Sequence, residues 1–135
     1  LAQQVPIAGS IIVSTPQDIA LLDVKKGINM FHKVDIPVFG IIENMSYFIC
    51  PHCSEKSEIF SNGGAKATAN EYGIEFLGEI PLDSSIRENA DKGEILFNTK
   101  ENKRFENLYS DIAKKLIEKL DASKPIKSPE IKFID

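Results

Sequence analysis

Ile7-Ala8-Gly9-Ser10-Ile11-Ile12-Val13-Ser14-Thr15-Pro16-Gln17-Asp18 is the stretch on which the fold turns. Ile7 to Ser14 is apolar and β-branched, which suits a strand buried on both faces, as in a parallel sheet. Thr15 as a cap, Pro16 in the first helical turn and Asp18 three positions after Thr15 form a weak capping box, so a helix is expected next. Its apolar stripe is read as Ala20, Val24, Gly27, Phe31 and Val34, at helical spacing. Pro37 closes the connection, and Val38 to Glu43 reads as a second buried strand. Strand, helix and strand make a βαβ unit with a right-handed crossover.

Working outward, Asn44-Met45-Ser46 leaves the second strand, and Tyr47 to Phe60 is an insertion carrying Cys50-Pro51-His52-Cys53. Asn62-Gly63-Gly64 is a turn. Ala65, Ala69 and Tyr72 form one face of a short helix that Gly73 closes. Ile74 to Ile80 is a third strand, ended by Pro81. Asp83-Ser84-Ser85 caps a short helix with Ile86 and Ala90 inward, stopped by Gly93. A last helix is expected from about Lys100 to Leu120, with Phe105, Leu108, Tyr109, Ile112, Leu116 and Leu120 as its stripe. Residues 122–135 read as a flexible tail, leaving 1–121 as the folded part, with its insertion at about 47–60. The fold class expected is α/β, a mostly parallel sheet with flanking helices. Three strands would leave an apolar edge uncovered. Leu1 stands where a Met would start a chain, and Leu1-Ala2-Gln3-Gln4-Val5-Pro6 reads like a helix end running into a strand. The expectation is a half-sheet, a piece of a longer protein whose remaining strands lie upstream.

Composition limits the function. The 135 residues hold 16 Lys+Arg against 20 Asp+Glu, a net charge of -4, with 42% hydrophobic residues. That is ordinary globular composition for one domain. Mild acidity argues against a nucleic-acid partner, which needs a clustered basic face. The longest apolar runs, such as Phe39-Gly40-Ile41-Ile42, fall far short of the ~20 residues of a membrane-spanning helix. No signal-peptide pattern precedes them.

Cys50 and Cys53 are the only cysteines. Thiolates separated by two residues can chelate one metal or cluster, because the turn between them brings both sulfurs to one side. A complete thiolate site needs four ligands. If the pair binds a metal, the shortage calls for a second copy of the chain, and a two-fold axis would bring both pairs together. Iron–sulfur and zinc both satisfy the count. Two other readings stay open: thiol–disulfide exchange, for which Cys-Pro-His-Cys resembles the tetrapeptide of a periplasmic disulfide oxidant, and a loop with idle thiols. Against the redox reading, Ser54 to Phe60 shows no helical stripe behind the motif. His52 reads as a loop residue.

Nucleotide chemistry is incomplete. There is no Gly-x-x-x-x-Gly-Lys-Ser/Thr loop, and no strand ends in a Mg²⁺-organising Asp. Asn62-Gly63-Gly64-Ala65-Lys66 is Gly-rich and opens a helix, but with the spacing of a turn. No Ser/His/Asp set is present, and Asp83, Glu88 and Asp91 read as a solvated helix face beside Arg87 and Lys92.

Five blocks then occur in order: Ser14-Thr15-Pro16-Gln17-Asp18-Ile19-Ala20-Leu21; Gly40-Ile41-Ile42-Glu43-Asn44-Met45-Ser46; Cys50 with Cys53; Ile59-Phe60 with Gly63-Gly64-Ala65; and Leu77-Gly78-Glu79-Ile80-Pro81-Leu82-Asp83 with Ile86-Arg87 and Asp91-Lys92-Gly93. Together they closely resemble the C-terminal half of the Mrp/ApbC (NUBPL-like) iron–sulfur cluster carriers, from Leu1 to about Phe97. The resemblance implies a MinD-like P-loop NTPase fold and a dimer that holds a labile [4Fe-4S] cluster between two CxxC motifs. It also implies ATP-dependent delivery of that cluster to apo-proteins. Cys50 and Cys53 match the cluster ligands. Asn44 matches the position that contacts adenine, and Pro81 and Asp83 lie in the segment bordering the base. The family's Walker A and switch segments belong to its N-terminal half and are absent here, so these residues alone are expected not to hydrolyse ATP. The implied location is the bacterial cytoplasm, or alternatively the mitochondrial matrix. Outside the resemblance, a zinc-bridged structural dimer or a thiol–disulfide oxidoreductase would use the same two cysteines.

Overall fold

β-branched residues at the start of the chain and around Ile41 pair as extended strands. The computed structural model describes residues 6–123. Three strands, β1 (Ser10–Ser14), β2 (Val38–Asn44) and a later one, β5 (Phe76–Ile80), form a parallel sheet in the order β1-β2-β5. Between β2 and β5 lies an antiparallel hairpin, β3 (Phe48–Ile49) and β4 (Lys56–Ser57). The helices are α1 (Asp18–Lys33), α2 (Gly64–Tyr72), α3 (Ser84–Lys92) and α4 (Glu106–Ala122). This is the α/β class read from the sequence. The expectations for residues 1–5 and for the tail beyond Ser123 lie outside the described residues.

α1 and α2 pack on one face of the sheet. Leu21, Val24 and Ile28 of α1 meet Ala65 and Ala69 of α2 over Ile41 of β2. The two alanines let α2 approach closely, and burial of such a cluster is the main stabilising term. α4 covers the other face, where Ile112 packs on Ile42, Leu77 and Ile80. It lies over β5 and β2, and among the described residues the same face of β1 is left partly open: Ile11 is 36% and Val13 57% exposed. β1 is therefore not buried on both faces as its composition suggests. The β5 edge is better guarded, because the Lys115 ammonium donates to the Leu77 carbonyl at 2.9 Å and blocks strand addition there.

Four local expectations change. The buried stripe of α1 is Leu21, Val24 and Ile28, because burying Leu and Ile removes more apolar surface from water than burying Ala20 and Gly27. Val34 follows the helix end and is exposed. Thr15 does not cap α1; its hydroxyl bonds the Gln17 side chain at 2.9 Å, and Gln17 holds the N-cap position without a side-chain bond. α3 buries none of its residues, Ala90 included, and the last helix begins only after 3₁₀ turns at Leu96–Asn98 and Glu101–Phe105.

Candidate functional site

The site residues gather at the carboxyl end of the parallel strands, where open α/β sheets place ligands. β2 and β5 are stitched together beyond their last residues. Ser46 N–H donates to the Ile80 carbonyl at 3.0 Å, and Leu82 N–H to the Tyr47 carbonyl at 2.7 Å. Asn44 lies opposite Ile80 in the ladder.

Between these strands the chain leaves the sheet for the hairpin, and Glu43 holds both of its roots. The Glu43 side chain is 0% exposed, at the end of the apolar run Val38 to Ile42. Its Oε1 accepts from the Ser46 hydroxyl at 2.6 Å, at the outgoing root. At the returning root Oε1 accepts from Gly63 N–H at 3.2 Å and Oε2 from Ala65 N–H at 2.9 Å. A buried carboxylate is tolerable here because its oxygens meet charge-assisted donors at the positive start of α2. The two glycines have separate reasons. Gly63 sits at φ +78, and a Cβ on Gly64 would come within 2.5 Å of Leu21 Cδ1. The Gly-rich turn thus opens α2, as its spacing implied, and its free N–H groups serve the chain's own Glu43.

The hairpin tip is the reverse of its roots. Cys50 N–H bonds the Glu55 carbonyl at 3.0 Å, and Ser54 N–H returns to the Cys50 carbonyl at 2.8 Å, folding Pro51-His52-Cys53 into one turn with Ser54 at φ 59. Cys50 is half-buried and Cys53 exposed, and both are free thiols. The Cys50 thiol is held below the ordinary range for a cysteine. The Cys53 backbone N–H is the main cause, followed by the His52 N–H and the Cys53 side chain, all favouring a thiolate at that position. Among the described residues no group of three or more His, Cys, Asp or Glu is placed to hold a metal, so the described residues place these two thiols without a third such ligand. The Lys56 ammonium rests 4.2 Å from the centre of the Tyr47 ring and ties β4 back to the hairpin's root. Burial, then Glu79, pushes the Tyr47 phenol up.

Two cavities adjoin the hairpin. The larger, about 540 Å³, runs from Cys50, Pro51 and Ser54 to Asp83, Asn102 and Arg104. The smaller, about 140 Å³, includes Tyr47, Ile49, Pro81, Asp83 and Arg104. Asp83 has structural partners: one oxygen caps α3 by accepting Ser85 N–H at 2.9 Å, and the other meets Arg104 Nη2 at 2.6 Å. Pro81 is buried directly after β5. Asn44 is half-buried, accepts the Met45 N–H at 3.0 Å and lines neither cavity. The structure thus brings Cys50, Asp83 and Pro81 around the hairpin, with Asn44 one strand away. Arg87 pairs with Asp91 at 2.8 Å on the surface of α3, the solvated face expected. Sequence reasoning missed Glu43, Asn102 and Arg104. Glu43 carried a signal, a charge closing an apolar strand; the other two looked like solvated residues of a helix.

A family model described as a NUBPL iron-transfer P-loop NTPase of the ParA class matches residues 1–117. The chain is 48% identical over 136 residues to the iron-sulfur cluster transfer protein NUBPL of Dictyostelium discoideum, covering 97% of this chain and 42% of that protein. It is 43% identical over 133 residues to the iron-sulfur cluster carrier protein of Escherichia coli K12, covering 98% of this chain and 36% of that one. It therefore spans well under half the length of these relatives. A solved nucleotide-binding protein from Archaeoglobus fulgidus, in complex with ADP, superposes with a TM-score of 0.56 at 44% identity, covering 64% of this chain and 35% of that chain.

Proposed function

The chain belongs to the NUBPL iron-transfer P-loop NTPase family, and on that premise we propose that it is the cluster-carrying part of an iron–sulfur cluster carrier. The cargo is a [4Fe-4S] cluster held by Cys50 and Cys53 from each of two subunits and passed to apo-proteins. The observation that carries this reading is the pair of accessible thiols on one tight turn, with no third ligand of suitable type beside them among the described residues. A cargo must leave. A site completed only by a second subunit exposes exchangeable thiolates, whereas a buried four-cysteine cage would retain its metal.

Nucleotide binding in the intact protein is part of the same proposal. Asn44, Pro81 and Asp83 border its adenine, and ATP with Mg²⁺ is gripped by residues outside this chain. The ADP complex of the solved relative supports this. Nucleotide occupancy would change the subunit geometry and so the distance between facing CxxC pairs. Among the described residues no helix is long and apolar enough to cross a membrane. The bacterial cytoplasm is the proposed setting, with the mitochondrial matrix as the alternative.

Anaerobic reconstitution with iron and sulfide tests the reading. The wild-type chain should turn brown, and Cys53→Ala should stay colourless with its sheet folded. Tight zinc uptake without colour would instead establish a structural zinc dimer, and catalysed disulfide exchange by a metal-free monomer an oxidoreductase.

A further inference from the structure

The larger cavity contains a group that neither the fold nor the carrier reading uses. Asn102 is only 8% exposed and lines that cavity together with Cys50. Its backbone N–H bonds the Thr99 hydroxyl at 3.3 Å, but its side-chain amide has no hydrogen-bond partner among the described residues. A side-chain amide offers one acceptor and two donors, and those of Asn102 keep open surface, since among the described residues no fully buried side-chain N or O atom lacks a partner. Such a group facing a cavity of ligand size, about 540 Å³, marks a recognition point.

The surrounding chemistry narrows the occupant. A side-chain amide matches a peptide bond, donating to its carbonyl and accepting its N–H. Phe48 and Ile49 of β3 also line the cavity. Because Cys50 N–H is directed at the carbonyl of Glu55, the residue before β4, and Ile49 is paired with Lys56, alternation along an antiparallel pair turns the Ile49 N–H and C=O away from β4. That edge can add an extended strand. The charged groups of the lining are Asp83 and Glu101 against Arg104, and Arg104 is already paired with Asp83. Glu101 remains, favouring a basic flank on the ligand.

We propose that this cavity holds an extended, cysteine-bearing segment of the recipient apo-protein, with Asn102 pairing to its backbone and its cysteine beside Cys50. The assignment rests on the carrier reading for the identity of the partner. Hand-over is then ligand exchange. The recipient's thiol sulfur forms a bond to a cluster iron, the bond from that iron to Cys50 Sγ breaks, and the proton leaving the recipient's thiol ends on Cys50. No electron changes hands.

The test uses the reduced, metal-free 135-residue chain and an end-capped hexapeptide with one cysteine between glycines and lysines at its flanks, followed by calorimetry. Asn102→Leu, similar in size but without the amide, should weaken binding at least tenfold. Glu101→Lys, at an exposed position, should weaken it severalfold and reverse the preference toward a glutamate-flanked peptide. A folded Asn102→Leu chain that binds as well as wild type, or a Glu101→Lys chain with unchanged preference, would overturn the proposal. So would equal affinity for N-acetylcysteine amide, which would make the cavity a small-thiol site. Iron uptake is measured separately. Asn102-dependent peptide binding by a chain that takes up no iron supports the peptide site and removes only the carrier reading; iron uptake without peptide binding does the reverse.

Discussion

At the tip of the β3–β4 hairpin every residue from Pro51 to Ile59 is exposed, whereas at its roots Glu43, Ser46 and Ala65 are buried. The tip is held by a two-residue ladder and one turn. The roots are held by three bonds to a single carboxylate, inside the packing of α2 on the sheet. The difference teaches how one short chain can present a labile cargo from a fixed base. Ligands that must be exchanged stand in water, while the parts that fix their direction belong to the core. If this division is right, substitutions should cost less folding stability the nearer they lie to the tip, and affect metal binding in the opposite order.

The largest loss is expected beneath the roots. Ile41 is fully buried between α1, α2 and the sheet, so Ile41→Ala should cost about 2–5 kcal/mol in urea unfolding. Glu43→Gln should cost about 1–3 kcal/mol, because an amide cannot accept at both oxygens and leaves a buried N–H of Gly63 or Ala65 unpaired. A cost below that of a surface substitution would break the comparison at its base.

How far the sequence discloses this arrangement depends on the kind of signal each element carries. The β-branched runs, the Pro81 stop and the positive-φ closures at Gly73 and Gly93 are local preferences, and the structure follows them. The partly open face of β1 was not legible from Ile11 and Val13, because an apolar strand has the same composition whether or not a helix covers it. The rotated stripe of α1 depended on which residues α2 presented, a tertiary fact. Within the candidate site, Cys50 and Cys53 announced themselves by spacing, and Asp83 by its cap. Glu43 showed itself only as a charge after an apolar run; its role was hidden because its donors lie 20 and 22 residues away. Asn102 was hidden because a polar residue on an expected helix is ordinarily solvated.

Between base and tip, Asp83→Ala should cost about 1 kcal/mol by removing the α3 cap; its ion pair with the largely exposed Arg104 adds little. At the tip, Cys53→Ala should change unfolding by no more than about 0.5 kcal/mol while abolishing iron binding altogether. That variant sharpens the contrast most, since one atom decides the cargo and leaves the fold alone. The smallest effect concerns Tyr47, whose phenol is raised by burial and Glu79. Its folded form holds the proton more tightly than the unfolded form. Its contribution is therefore intact below about pH 10, the ordinary tyrosine value, and is lost as the pH rises through the folded-state value. Tyr47→Phe should flatten the alkaline decline in unfolding midpoint slightly; an unchanged decline would show that the root is open to water.

Native mass spectrometry of anaerobically reconstituted protein addresses the shared-cluster claim most directly. Two chains carrying a single four-iron, four-sulfide unit, lost together with the dimer in Cys53→Ala, is the predicted result. A single chain that holds a complete cluster, or chains that stay monomeric and iron-free under every loading condition, would contradict it.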